Sequence, residues 1–243
     1  EGERINAVLA VREFSDDHYV FFATASGTVK KTPLSEFSRP RPSGIIALDL
    51  VNGDQLVNVE LTHGQRDIML FTDAGKAIRF PETEVRDMGR SARGVRGIRL
   101  DEGQKVIALI VVGEGAVLTV TENGFGKRTP VDDYPRRGRG GQGVIAIQTS
   151  ERNGRVIGAA QVESDHEIML ITDGGTLVRT PVEGISLVSR NTQGVKLISL
   201  QGIEKLVGVE RIEGIGEMEG NGDASGDDSG AAMGEGADDE GAE

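Results

Sequence analysis

Residues Val120 to Tyr134 read VTENGFGKRTPVDDY. A β-branched run leads to Thr121, Gly124 follows three places later, and Pro130 closes the stretch six places after the glycine. The same order recurs three times, in ATASGTVKKTPLSEF (Ala23–Phe37), FTDAGKAIRFPETEV (Phe71–Val85) and ITDGGTLVRTPVEGI (Ile171–Ile185). Thr24, Thr72, Thr121 and Thr172 precede Gly27, Gly75, Gly124 and Gly175, and Pro33, Pro81, Pro130 and Pro181 end each copy. The glycines lie 48, 49 and 51 residues apart, and a second glycine keeps step at Gly44, Gly94, Gly143 and Gly194. Self-similarity at a fixed period of this length marks a modular fold whose units cannot bury their apolar faces alone.

Each unit reads as strand throughout. YVFFATA, DIMLFTD, AVLTVTE and EIMLITD are short β-branched or aliphatic runs bounded by turn residues. The glycine after each belongs in a tight turn at positive φ. The second strand ends at proline, which has no N–H to give a ladder. IIALDL, VRGIRL, VIAI and VKLISL follow the second glycine, and QLVNVEL, KVIALIV, VIGAAQV and KLVGVER close the units. No stretch keeps a 3.6-residue period. The expectation is an all-β, propeller-like β-pinwheel of four-stranded blades, with repeats at 17–62, 66–112, 115–162 and 166–212. Residues 3–11, containing RINAVLAV, match the closing strand of a unit whose first three strands are absent, so further blades are expected upstream.

The chain has 243 residues and no cysteine, which excludes disulfides and thiolate metal sites and suits a reducing cytoplasm. No apolar run approaches the roughly 20 residues of a membrane helix, and the acidic N-terminus lacks the layout of a signal peptide. The net charge of −12 is unevenly placed. Residues 213–243 hold 11 of the 39 acidic side chains and no Lys or Arg, leaving 28 acids against 27 bases in the rest. This Gly-, Asp- and Glu-rich tail has too little apolar surface to offset its own ordering and is expected to be disordered.

Gly138, Gly140 and Gly143 spell G-x-G-x-x-G, but a dinucleotide loop must follow a strand and open a helix. Here Pro135 interrupts the approach and VIAI occupies a strand position. Tyr134 shares its register with Phe37, Val85 and Ile185, which makes it a core residue with its hydroxyl at the edge rather than a nucleophile. His18, His63 and His166 form no spaced ligand set, so no metal site and no catalytic centre is assigned.

Positive charge behaves differently, because it returns in register. Two places before the proline stand Lys31, Arg79, Arg128 and Arg179, with Lys30 and Lys127 beside them. Four places before the second glycine stand Arg90, Arg139 and Arg190, and Arg39 and Arg41 flank that slot in the first unit. Arg93, Arg96, Arg136, Arg137 and Lys196 add to the same region. Repetition converts a per-unit pattern into a positive band along one edge, which fits a long polyanion. About 6 to 10 phosphate contacts give salt-sensitive, sequence-independent binding. With 4% aromatic residues, stacking platforms for single strands are poorly supplied, and bent duplex DNA is the better match.

The repeated TxxGxxxKRTP-like units, GVRGIRL (Gly94–Leu100) and RNTQGV (Arg190–Val195) resemble the C-terminal domain of the bacterial DNA gyrase A protein over residues 3–212. The resemblance implies a β-pinwheel whose blades exchange strands, wrapping duplex DNA on a basic outer edge to bias an ATP-dependent type II topoisomerase towards negative supercoiling. It implies as partners double-stranded DNA, the breakage–reunion domain of the gyrase A protein, and the gyrase B subunit. ATP and Mg2+ are then used by the parent complex, with no cofactor in this segment, no membrane, and a bacterial cytoplasmic, nucleoid-associated setting. Arg137 to Gly143 (RGRGGQG) resembles a degenerate copy of the family's diagnostic box, so DNA contact is carried over to Arg137 and Arg139 only. The related C-terminal domain of the topoisomerase IV A protein and a protein-binding propeller of the chromosome-condensation-regulator type are the competing readings.

Overall fold

The computed structural model describes residues 5–51 and 53–212. The tail expected to be disordered, 213–243, lies outside the described residues. Fifteen strands and four single 3-10 turns make up the regular structure, with no α-helix among the described residues.

Each unit begins with an antiparallel hairpin: β1 (Tyr19–Thr24) with β2 (Thr28–Pro33), β4 (Asp67–Thr72) with β5 (Lys76–Pro81), β8 (Ala116–Thr121) with β9 (Phe125–Pro130), and β12 (Glu167–Thr172) with β13 (Leu177–Pro181). The repeated threonine builds the turn. Thr24, Thr72 and Thr172 accept on Oγ1 the amides of Thr28, Lys76 and Thr176, at 3.3, 3.1 and 3.0 Å. The repeated proline pairs with the first residue of the hairpin and opens a 3-10 turn, where its missing donor costs nothing. The closing strands β3 (Leu56–Thr62), β7 (Val106–Val111), β11 (Val156–Val162) and β15 (Leu206–Ile212) pair with the first strand of their own hairpin.

The segment after the second glycine leaves its unit. β6 (Val95–Arg96) pairs with β2, β10 (Val144–Ile145) with β5 and β14 (Val195–Lys196) with β9, so every outermost strand comes from the next unit along the chain. The sheets therefore run β3-β1-β2-β6, β7-β4-β5-β10, β11-β8-β9-β14 and β15-β12-β13. The exchanged strands span two residues each, shorter than the runs in the sequence, because pairing stops where the chain turns into the space between blades.

Two expected strands do not form. Residues 5–11 carry no ladder, although Leu9 and Val11 pack against Val20, Phe22 and Leu34. All four described hairpins already hold a closing strand on their first strand, so that position is not left for this one. Residues 45–50 are likewise unpaired, because the first unit has no preceding described hairpin to hand them to.

The core lies between blades. Phe21, Ile68, Leu70 and Phe80 fill the first junction, Met69, Phe71, Val117 and Tyr134 the second, and Leu118, Val120, Ile168 and Leu170 the third. The middle strands are thus covered on both faces, which explains their unbroken apolar runs. Met169 and Ile171 of β12 stay half-buried, since nothing described packs on the outer face of the last blade. The inner strands surround a central cavity of about 630 Å³, where Asn58 donates to Glu60 at 2.9 Å and burial raises the Glu60 carboxyl above its ordinary range.

Candidate nucleic-acid interface

The exchanged strands are outermost, so the loops that feed them form the rim. These loops and strands span 38–48, 86–96, 135–145 and 186–196. Together they hold eleven arginines and lysines and one carboxylate, Asp87. The cationic residues of the rim and of the hairpins beneath it divide into three groups by what their side chains meet.

The first group clasps blades together. Arg139 donates from Nε to Glu84 O at 3.0 Å and from an Nη to Arg96 O at 3.0 Å. Arg190 repeats both bonds one unit on, to Asp133 O at 2.5 Å and Ile145 O at 2.6 Å. Arg90 donates to Ile46 O at 3.1 Å, while its buried Nε finds no acceptor. Ile46, Arg96 and Ile145 share one register, two residues past the second glycine, so this arginine ties each loop to the exchanged segment of the unit before. These bonds to carbonyls fix the guanidinium but leave its charge uncompensated.

The second group sits below the rim. Lys31 is 6% exposed, pairs with Asp87 at 3.0 Å and lies over the Tyr19 ring. Arg79 reaches Asp67 at 2.8 Å and the carbonyls of Val131 and Tyr134, and Arg128 donates to Ile185 O and Glu183 O. Arg179, with no described blade beyond it, pairs with Glu167. Lys30 and Lys127 are fully buried. Lys30 Nζ donates to Ala47 O and Arg90 O at 2.5 Å each, and Lys127 Nζ to Ser189 O and Arg190 O at 2.6 and 2.5 Å. Desolvation first, and then the charge of Arg90 or Arg190, brings both ammonium groups down to about 8. In the first three units the register two and three places before the proline, read from sequence as part of an outward band, is thus turned into the blade junctions, whereas Arg179 stays exposed. A side chain there alternates with its strand neighbours and meets the next blade before it meets solvent.

The third group is exposed. The side chains of Arg39, Arg41, Arg137 and Lys196 make no hydrogen bond or ion pair with another described residue. Arg93 and Arg136 are exposed but matched to Asp49 and Asp67, at 2.7 and 2.8 Å. Arg86 and Arg96 are as free as Arg137. Arg86 follows Val85 where the other units have Ser38, Pro135 and Ser186, so repetition gave no signal for it.

Glycine brings the loops close. A Cβ on Gly143 would lie 2.4 Å from Ala77 O, and one on Gly194 2.7 Å from Gly126 O. At Gly44, whose strand is unpaired, it would meet nothing within 4 Å. The G-x-G-x-x-G stretch crosses the hairpin of the second unit, with Gly141 over Ile78, and leads into β10 rather than a helix. Tyr134 is 1% exposed and stacks edge-on against Phe71, 6.0 Å between ring centres. Its hydroxyl is buried rather than at an edge, and burial raises it far above the ordinary phenol range.

A family profile described as DNA gyrase C-terminal domain, beta-propeller, matches residues 18–63, 66–113, 116–163 and 166–213. The chain belongs to the DNA gyrase C-terminal domain family. It is 58% identical over 207 residues to the DNA gyrase A protein of Salmonella typhimurium, and 55% over 208 residues to that of Escherichia coli, covering 85% of this chain in each case. It spans about a quarter of the length of these relatives, 24%. Among solved structures, a DNA gyrase A C-terminal domain superposes with a TM-score of 0.77 at 26% identity, covering 85% of this chain and 69% of that one. The C-terminal domain of a DNA topoisomerase IV gives 0.79 at 26% identity, covering 84% and 64%. The exchanged outer strand and the rim loops therefore belong to a gyrase-type β-propeller.

Proposed function

We propose that this gyrase C-terminal domain binds duplex DNA on its outer rim without reading sequence, and bends it there to support negative supercoiling by DNA gyrase. The observation that carries this reading is the charge of the rim, eleven cations to one carboxylate in the four loop-and-strand segments, where the rest of residues 1–212 holds 16 cations and 27 carboxylates. The contacts expected are Arg39, Arg41, Arg86, Arg96, Arg137 and Lys196, with Arg93 and Arg136 exchanging a carboxylate for a phosphate, and Arg90, Arg139 and Arg190 contributing charge from fixed positions. Arg79 and Arg128, like Lys30, Lys31 and Lys127, hold the blades instead, and Arg179 is paired with Glu167 of its own hairpin. Each phosphate met by a cation releases condensed counterion, so affinity falls steeply with salt. Bending 20–30 base pairs by 40–90° costs on the order of 1–6 kcal/mol, which a handful of such contacts offsets. In the parent enzyme the partners are the breakage–reunion domain and the gyrase B protein, where ATP, Mg2+ and strand cleavage are used, in the bacterial cytoplasm.

Religating nicked circular DNA with the domain bound tests this reading. A shift in linking number supports wrapping and gives its sign. An unchanged linking number, with binding that ignores salt, supports a protein-binding propeller instead.

A further inference from the structure

We propose that Lys30 and Lys127, buried beneath the rim, are positioning residues for DNA contact: each pins the arginine loop of the unit that follows it. The inference rests on the DNA reading above and assigns these lysines a role other than touching the ligand.

Both ammonium groups point at the same place in the repeat. Lys127 Nζ bonds the carbonyls of Ser189 and Arg190, and Lys30 Nζ bonds those of Arg90 and of Ala47, next to the Ile46 carbonyl that Arg90 clasps. The pinned residue is thus the clasp arginine itself, and the loop runs from it to Arg93 and Arg96 in one case and to Lys196 in the other. Loop carbonyls that would otherwise face a buried, apolar junction are satisfied by a charged donor, which is a stronger bond than a neutral one. The second unit shows what happens without a pin. Ile78 replaces the lysine there, and the loop above it has Gly140 and Gly141 where the other loops carry side chains, with Gly141 against Ile78. The fourth unit has Val178 and no described loop above it. A lysine stands under the loops with Ser91–Ala92 and Asn191–Thr192, and an aliphatic residue under the loop with Gly140 and Gly141 at those two positions. Units one and three thereby hold the rim of units two and four at a fixed distance, so that its free cations present a constant track to a stiff duplex.

The test uses the 243-residue chain with Lys127→Ile, which copies the second unit, and Lys30→Ile as an independent variant. Three quantities are read: the urea midpoint, hydrogen exchange at the Val188 and Thr192 amides (Met88 and Ala92 for Lys30→Ile), and affinity for a random duplex at several salt concentrations. The expected result is a cooperatively folded protein whose loop amides exchange at least about tenfold faster. Its log affinity against log salt should be shallower by about one to two. A general loss of stability would leave the salt slope of the folded protein unmoved. Unchanged loop exchange in a folded variant overturns the proposal, as does faster exchange with an unchanged slope. If the unsubstituted domain fails to bind DNA, the DNA reading fails, and with it the purpose assigned to the pin, while the exchange measurement still decides whether the lysine holds the loop. Should one variant not fold, the other carries the test on its own loop.

Discussion

Arg137 and Arg139 stand two residues apart in one loop and serve different ends. Arg139 commits its guanidinium to the carbonyls of Glu84 and Arg96, whereas the side chain of Arg137 has no described partner. Replacing Arg137 and Lys196 together by alanine should lower the salt slope of DNA binding by about two and leave the urea midpoint unmoved, since neither side chain holds anything in the fold. Arg137→Ala with Arg139→Ala should lower the slope by about one to two and also lower the midpoint, because a clasp between units is lost. The two buried lysines predict a pH dependence. Their ammonium groups titrate near 8 when folded and near 10.5 when unfolded, so the folded state holds fewer protons between those values. Stability should rise with pH across that window: the contribution is full above 10.5 and lost as pH falls through 8. Urea midpoints at about pH 7.5 and about pH 9.5 measure the rise, and it should shrink in a Lys30→Ile, Lys127→Ile double variant.

The exchanged strand is the element that makes units into one body. It is only two residues long, and its docking depends on a backbone approach that no side chain tolerates. Gly143 has φ +73° and Ala77 O stands where a Cβ would go, while Gly44 has φ +77° and open space. Alanine costs about 1–2 kcal/mol at either position for the left-handed backbone alone. Gly143→Ala must also displace β10 from β5, so its loss of stability in urea unfolding should clearly exceed that of Gly44→Ala. Equal losses would mean that the strand docks without needing that approach.

At the scale of the molecule, charge is segregated by geometry and by sequence position. The rim gathers cations from loops more than 40 residues apart, and residues 213–243 gather acids. Removing the chain after Ile212 changes the formal net charge from about −12 to about −1. That truncation should tighten binding to random duplex at low salt, with the difference fading towards about 0.2 M as screening sets in. Equal affinity at low salt would reduce the tail to a solubility device.

The repeat, its length, its all-strand character and its turn glycines were legible in the amino-acid sequence. They are local: Thr24 capping its own hairpin, or Pro33 ending one, needs no distant partner. Residues such as Phe37, Val85, Tyr134 and Ile185 were identifiable as core because four copies of a position average out the accident of any one. What only the tertiary structure decided is which hairpin receives each exchanged strand, and therefore which cations face outward. A lysine three places before a proline looks the same in sequence whether solvent or a neighbouring blade lies above it. Lys30 and Lys127 meet the carbonyls of a loop some 60 residues away, and that neighbour exists only once the chain has handed a strand back to the preceding unit.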